Sequence, residues 1–397
     1  MVLFRYGVIG TRVDIYVSLD GLDTNPGTSD LPLRTLQKAA DAVEPGDIVT
    51  VRPGEYKGFM IGYEKNAATG VPGRPIIFRA EPGVFINAKA KLGDGINIEK
   101  GSWITIEGFT VKGMKRAGIR AAGGGSNIFI RNNVCSGNSV WGIFTSHIAD
   151  VLIENNVCSG SLKEHGIYHS NSGDRPIIRG NTSFGNKGCG IHVNGDKSQG
   201  GDGLVSNALI EGNTLYGNGR GGGSAINCDG VINSVIRGNI LYGNLNSGIS
   251  LFRYNGATPS HNNVVEFNTI VNSPLSDNAA LNIKDGSTGT TVTGNILLSS
   301  RAKEASYLSI SDDSLEGYTS DYNIVSPNVN SWTSIEAWRS KTGQDAHSMI
   351  SNPVAVGFAN LAANDYRLLP TSIAVGAAKP PSIGAHQCVV DEGGGPS

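Results

Sequence analysis

Seven times along the chain a small residue followed by isoleucine or leucine opens a short alternation of apolar and polar positions. The residues that come next are of types that do chemistry. One step past the aliphatic residue stand Arg120, Phe144, Tyr168, His192, Asn227, Ser250 and Asn282. Three steps past it stand Ala122, Ser146, Ser170, Asn194, Asp229, Phe252 and Lys284, with Arg253 and Asp285 following at the edge. Alternate residues of a strand face opposite ways, so an inward aliphatic residue turns both sets outward. The positions between them are mostly Thr145, Val193, Cys228, Leu251 and Ile283, as an interior requires; His169 is the exception. Lys284 and His192 are candidate proton acceptors and Tyr168 a candidate donor. The Arg253 guanidinium can grip a carboxylate with two bonds, and Asp229 offers a carboxylate of its own. A lysine acts as a base only after losing its proton, which cationic neighbours favour, and Arg253 precedes it by one coil. Histidine titrates near neutrality unaided. Two pairs therefore stand open, Lys284 with Arg253 and His192 with Tyr168, about three coils apart and too distant to share one proton.

The elements that position these columns emerge from a self-comparison. From about residue 102 a short theme returns: a strand such as IFIRN, LIEGN or VIRGN, a turn at an asparagine, a second short strand, and a third around Gly-Ile. The asparagine recurs as Asn133, Asn156, Asn181, Asn213, Asn239, Asn268, Asn295 and Asn323, at intervals of 23, 25, 32, 26, 29, 27 and 28 residues. Strands this short bury no face alone, but coils stacked about 4.8 Å apart do. Three short strands per repeat predict an all-β, single-stranded parallel β-helix, its asparagines forming an internal ladder. No unit carries a helical period, and no Leu-x-x-Leu-x-Leu frame exists. On such a solenoid the outward columns advance about 5 Å per coil, close to one sugar unit. Phe144 and Phe252, with Asn194, Asn227 and Asn282, then suit stacking on sugar faces and bonding to hydroxyls. The bland alternative is a solvated strand face. Glu164 and His165 read as turn residues that satisfy local backbone, and His169 as a bonded core histidine, so the two histidines stay outside the expected site.

The domain is expected to run over 16–387, after an extension at 1–15 and before a Gly-rich tail at 388–397. A helix over 33–43, with Leu33, Leu36, Ala40 and Val43 on one face, is expected to cap the first coil, and SIEAWRSKTGQ to cover the other end. Cys135 and Cys158 occupy equivalent positions of successive units and are expected to stack as reduced neighbours, with a disulfide as the alternative. Lys+Arg 32 against Asp+Glu 34 gives a net charge of -2, without the basic footprint of a nucleic-acid binder. Gly 55 comes without a Gly-X-Y period, which excludes collagen. No run approaches the roughly 18 apolar residues of a membrane span. The opening MVLFRYGVIGTRVDIYV lacks the parts of an export signal, so an extracellular location requires a trimmed signal or another exit.

The stretch YVSLDGLDTNPGTSDLPLRTLQKAADAVEPGDIVTVRPGEY, followed by Asn-laddered coils and the closing SIGAHQ, resembles the pectate-lyase-like right-handed β-helix superfamily. The resemblance covers most of the chain, from about Tyr16 to Gln387. It implies a right-handed solenoid and a function among lyases, hydrolases and epimerases of polysaccharides or phage receptor-binding proteins. The reading that the columns favour is β-elimination on an acidic, uronate-containing extracellular polysaccharide. That reaction needs a partner for the C6 carboxylate (Arg253, with Asn194 and Asn227 assisting), a base at C5, and a proton for the leaving oxygen. The alternatives are a glycoside hydrolase pairing Asp229 with Asp196 or Asp202, and a virion spike or adhesin that holds a glycan without cutting it. No nucleic-acid or membrane partner is expected; the solenoid is expected to be a monomer, or a trimer if phage-derived. The insertion NGDKSQGGDGLVS in the 32-residue coil overhangs the same columns, and its Asp196 and Asp202 are candidate Ca²⁺ ligands, with no metal required by the rest of the reading.

Overall fold

The computed structural model describes residues 13–62, 69–88, 93–299, 306–330, 333–377 and 382–386. Each coil contributes one strand to each of three twelve-stranded sheets. The first sheet runs from Asp14–Val17 to Thr319–Asp321, the second from Gly54–Lys57 to Met349–Ile350, and the third from Phe59–Ile61 to Thr333–Ser334. Pairing is parallel from coil to coil, except at the last strand of the third sheet, which closes antiparallel. The expected β-helix is what forms, and the 32-residue coil joins it without a register break: Ile178 pairs Ile210 and Ile210 pairs Ile236.

Identical positions stack, so each coil buries its aliphatic residue against the same residue of the next. On the first sheet Ile106, Ile130, Ile153, Ile178, Ile210, Ile236, Val265 and Val292 form one fully buried file. Each such side chain contributes about 1.5–3 kcal/mol by leaving water. The turn out of this sheet holds the asparagine ladder. Asn213 is representative: its Nδ2 donates to Asn239 Oδ1 at 2.9 Å and to the Ile178 carbonyl at 2.8 Å. Its Oδ1 accepts from Asn181 Nδ2 at 3.0 Å and from the Asn181 amide at 2.9 Å. The residue before each ladder asparagine is left-handed, at φ 63° for Gly180, 62° for Gly212 and 62° for Gly238. That conformation is why glycine recurs there. A second ladder, which the sequence reading did not anticipate, lines the next turn. Asn186 Nδ2 donates to Asn218 Oδ1 at 2.9 Å, and Asn218 Nδ2 to Asn244 Oδ1 at 3.1 Å.

The glycine of the Gly-Ile motif has a local cause as well. A Cβ on Gly142 would lie 2.5 Å from the Gly166 carbonyl oxygen and 3.0 Å from Cys158 Cβ, so the chain enters the third sheet only without a side chain. Cys135 and Cys158 pair across adjacent coils as free, buried thiols, as expected. Cys388, the tail and the first twelve residues lie outside the described residues.

The capping helix is shorter than expected, Leu36–Ala40 rather than 33–43. Thr35 caps it, accepting from the Lys38 amide, and Leu33 instead bridges Val17 in extended form. Leu36, Ala39 and Ala40 still cover the first coil. At the other end the Ile335–Thr342 helix, capped by Ser334 and stopped at left-handed Gly343, buries Ile335 and Trp338. Asp345 ties that cap down, accepting from the Tyr307 hydroxyl at 2.6 Å and from Trp338 Nε1 at 3.2 Å. Among the described residues no helix is long and apolar enough to cross a membrane.

Candidate active-site groove

The third sheet aligns the two outward columns as the alternation requires. Phe144, Tyr168, His192, Asn227, Ser250 and Asn282 lie in one register, and Ser146, Ser170, Asn194, Asp229 and Phe252 in the other. Lys284 follows Ile283, the partner of Leu251, and so falls beside Phe252. The columns divide into an aromatic half and a cationic half.

In the aromatic half Trp141 stacks on Phe144 at 4.4 Å, and Phe144 meets Tyr168 edge-on at 5.4 Å. Tyr168 lies 4.8 Å from His192, which in turn stacks on His165 at 4.8 Å. Arg120 sits 5.8 Å over the Phe144 ring, its charge met by Glu99. Trp141 Nε1 donates to Glu164 Oε2 at 2.7 Å. Burial pushes His165 down to about 4, and burial with His165 alongside pushes His192 well below its ordinary value. Both rings are therefore neutral at pH 7. Burial holds the Tyr168 hydroxyl up at about 12, against the opposing bond from Asn194, so it keeps its proton.

Three expectations change here. His192 is 8% exposed, lies under His165 and turns Nδ1 toward Cys189 Sγ at 4.0 Å, so it builds the wall rather than facing solvent as a base. Asn194 is buried, donates to the Tyr168 hydroxyl at 3.1 Å and accepts from the Asp196 amide at 3.0 Å; it positions Tyr168 instead of meeting substrate. Phe144 is covered by Trp141, which becomes the outer ring. His169 behaves as a core histidine, with Nδ1 2.8 Å from Thr145 Oγ1 and Nε2 2.7 Å from the Gly173 carbonyl.

Among the described residues His165, Cys189 and His192 bring donor atoms within 4.8 Å of one another. Their hydrogen bonding does not fit a metal. His165 Nδ1 accepts the Cys189 amide at 3.0 Å, which places the ring proton on Nε2 and leaves no free lone pair. Asp196 and Asp202 are turned onto their own loop: Asp196 Oδ1 accepts from the Ser198 amide and hydroxyl, and Asp202 Oδ1 from the Leu204 amide.

The cationic half is organised by Asp229, which is 1% exposed. Its Oδ1 accepts from the Tyr254 and Gly256 amides at 2.8 and 3.0 Å, and its Oδ2 from the Asn255 amide at 2.7 Å. The expected catalytic carboxylate is thus a structural anchor with both oxygens engaged, which removes the acid that the hydrolase alternative needed. Arg253 opens the anchored turn. Its backbone amide reaches Asp285 Oδ2 at 3.4 Å, and its Nε donates to the Gly256 carbonyl at 3.3 Å. Lys284 stands on the adjacent coil and its amide donates to the Leu251 carbonyl. Among the described residues neither cation has a carboxylate within ion-pair distance. Phe252, Asn227 and Asn282 are half-buried in the same face, with Asn282 Nδ2 reaching Ser250 Oγ at 3.4 Å.

The structure thus places Phe252, Asn282 and Lys284 on neighbouring strands, with Arg253 directly after Phe252, and separates them from Tyr168 and His192 by two or more coils. Trp141, His165 and Tyr254 join the face without having been placed there by the alternation. Trp141 opens the strand Trp141–Ser146, ahead of the Ile143 from which the columns are counted, and Tyr254 belongs to the turn after Ile249–Phe252, where period-two counting ends.

A family model described as a Pel9A-like, right-handed β-helix region matches residues 15–161, and one described as a right-handed β-helix region matches residues 94–264. Together the two right-handed β-helix models span residues 15–264, in line with the resemblance read from the sequence. Among solved structures, pectate lyase Pel9A superposes with a TM-score of 0.61 at 18% identity, covering 96% of this chain and 97% of that one. XylC in complex with xylose gives 0.58 at 10% identity, over 86% of each chain. The A-module of the Azotobacter vinelandii mannuronan C-5 epimerase AlgE6 gives 0.55 at 16% identity, over 87% of this chain and 88% of that one. At such identities the likeness is one of fold. No curated protein matches the chain.

Proposed function

We propose that the third-sheet face is the groove of an extracellular polysaccharide lyase that cleaves an acidic, uronate-containing chain by β-elimination. The observation that carries this reading is the pair Arg253 and Lys284: cations at the ends of neighbouring third-sheet strands, with no carboxylate within ion-pair distance among the described residues. Side-by-side cations repel, and an anionic sugar relieves that repulsion. Two neighbours in fold, the pectate lyase and the mannuronan C-5 epimerase, are named for uronate polymers, which supports the substrate class.

The chemistry follows from the positions. Arg253 pairs with the C6 carboxylate and so acidifies the C5 hydrogen. Lys284 Nζ, acting in its deprotonated form, takes that proton, the C5 electron pair forms the C4–C5 double bond, and the C4–O4 bond breaks. The lysine ammonium returns the proton to the leaving O4, so one residue serves both steps. Trp141 and Tyr168 lie several coils away and floor more distant subsites, where sugar rings stack. The guanidinium supplies the positive charge at the carboxylate, so turnover is expected to survive a chelator. A monomer suffices, since one face carries all the parts.

The test is ultraviolet absorbance of the unsaturated uronate during incubation with pectate, alginate, hyaluronan, dermatan and glucuronan, beside reducing-end assays with and without chelator. Rising absorbance on one polymer is expected. New reducing ends without absorbance sink the elimination, and silence in both assays across the panel sinks cleavage of these polymers.

A further inference from the structure

We propose that Tyr254 is a sugar-stacking platform at the cationic end of the groove, and that Asp229 is the positioning residue that holds it there together with Arg253. This rests on the uronate-lyase reading and names one subsite of the same groove.

The turn at 253–256 is fixed from several sides. Its three consecutive amides, at Tyr254, Asn255 and Gly256, all converge on the buried Asp229 carboxylate. Three charge-assisted bonds onto one carboxylate define a backbone conformation strongly. The insertion of the 32-residue coil clasps the same turn, since the Lys197 amide donates to the Asn255 carbonyl at 3.0 Å and the Ala257 amide to the Gly203 carbonyl at 2.9 Å. Gly256 passes so close to Gly230 that a Cβ on it would lie 2.5 Å from Gly230 Cα. Beyond the turn, Ser260 Oγ reaches the Cys228 and Phe252 carbonyls at 3.0 Å each.

A turn this constrained nevertheless leaves its one aromatic side chain in solvent: Tyr254 is 83% exposed. Core formation does not explain a tyrosine there. The Tyr254 amide sits on Asp229, a member of the outward column, so the residue belongs to the rim of the groove and directly follows Arg253. An aromatic ring on rigid backbone offers the apolar face of a sugar a surface at low entropic cost. Arg253 next to it takes the carboxylate of that uronate. Asp229 sets both residues through one set of bonds, which explains a buried carboxylate in a column of substrate-facing positions.

The experiment compares wild type, Tyr254→Ala, Tyr254→Phe, Asp229→Asn and the Asp229→Asn/Tyr254→Ala double variant. Steady-state kinetics on the uronate polymer that wild type turns over and hydrogen exchange at amides 254–256 are the readouts. Tyr254→Ala is expected to raise KM about tenfold with kcat within about twofold, the size of one aromatic contact; Tyr254→Phe is expected to match wild type. Asp229→Asn is expected to lose exchange protection at 254–256, to raise KM at least as much, and to lower kcat because Arg253 shares the turn. Adding Tyr254→Ala to Asp229→Asn is then expected to cost less than twofold more, since the platform is already misplaced. An unchanged KM in Tyr254→Ala overturns the platform, and full additivity or retained protection in Asp229→Asn overturns the positioning role. If wild type itself turns over no uronate polymer, the lyase reading falls and takes the subsite with it, a result distinct from the previous two.

Discussion

The first and third sheets are built by one register, yet their outer faces solve the stacking of charge in opposite ways. On the first sheet Glu107 lies between Arg79 at 2.5 Å and Arg131 at 2.7 Å, Arg175 meets Asp150 at 2.6 Å, and Arg179 meets Glu154 at 2.5 Å. Arg237 likewise reaches Glu211 at 2.9 Å and Glu266 at 3.9 Å. A parallel stack places like positions about 4.8 Å apart, so a face with no other task pairs each cation with an anion one coil away. The third sheet obeys this at its start, where Arg116 meets Asp94 and Arg120 meets Glu99. It abandons the rule at Arg253 and Lys284. Lys187 and Lys197 also have no ion pair among the described residues, so two such cations on neighbouring coils of one sheet, rather than a single unpaired charge or concavity, point to function. A cleft of about 520 Å³ lies on the first-sheet side, lined by Glu154, Arg179, Glu211, Arg237 and Phe267, but its charges satisfy one another.

The comparison breaks most visibly at Lys284. Lys284→Met is expected to lower kcat by about a thousandfold, the scale of a lost acid–base group, with an unchanged thermal midpoint. A loss below tenfold in the absorbance assay removes Lys284 from the chemistry. Next in size is the interior that both faces share. Asn213→Ala leaves the Asn181 amide without its acceptor and takes one bond each from Asn181 Nδ2, the Ile178 carbonyl and Asn239 Oδ1, and unmade buried bonds cost roughly 1–3 kcal/mol each. Denaturant unfolding is expected to show a loss of about 3–5 kcal/mol, and a loss under 1 kcal/mol contradicts the ladder's role.

Acid distinguishes the faces by a smaller amount. Burial holds His169 at about 4 against its ordinary 6.5, so the folded protein prefers the neutral ring. Above 6.5 both states are neutral. As pH falls from 6.5 toward 4 the unfolded chain takes up a proton that the folded one refuses, and stability drops. At 1.36 kcal/mol per unit the loss is roughly 3 kcal/mol at pH 4. His165 and His192 shift in the same direction, so thermal midpoints are expected to fall steeply over this range. His169→Gln is expected to flatten the profile, and an unchanged slope contradicts the assignment. The smallest effect belongs to the paired face: Arg179→Gln is expected to cost at most about 0.5 kcal/mol, as exposed ion pairs do, with activity unchanged. A larger loss in calorimetry blurs the contrast between the faces.

Much of this was legible in the sequence because a solenoid repeats its requirements. The ladder asparagines show at a glance, since each coil needs the same amide in the same place. The second ladder was equally readable in retrospect: Asn138, Asn186, Asn218 and Asn244 each follow a ladder asparagine by five residues, with Ser161 taking that place after Asn156. The outward columns followed from alternation. What alternation does not encode is the partner of each outward group. Asp229 looked like a free acid because its ligands are backbone amides of the next coil, which carry no side-chain signature. His192 looked like a base because the ring covering it, His165, comes from a turn. Tyr254 went unnoticed because it lies beyond the strand, in a loop whose conformation Asp229 dictates.

The most direct test of the contrast is the affinity of wild type, Arg253→Gln and Arg237→Gln for a uronate oligosaccharide and for the same oligosaccharide with its carboxyl groups reduced. Wild type is expected to prefer the acidic form by at least about tenfold, a preference that one guanidinium–carboxylate pair accounts for. Arg253→Gln is expected to erase that preference and Arg237→Gln to keep it. Equal affinity of wild type for both sugars, or a preference lost with Arg237 and kept without Arg253, contradicts the claim that the unpaired cations of the third sheet are the uronate site.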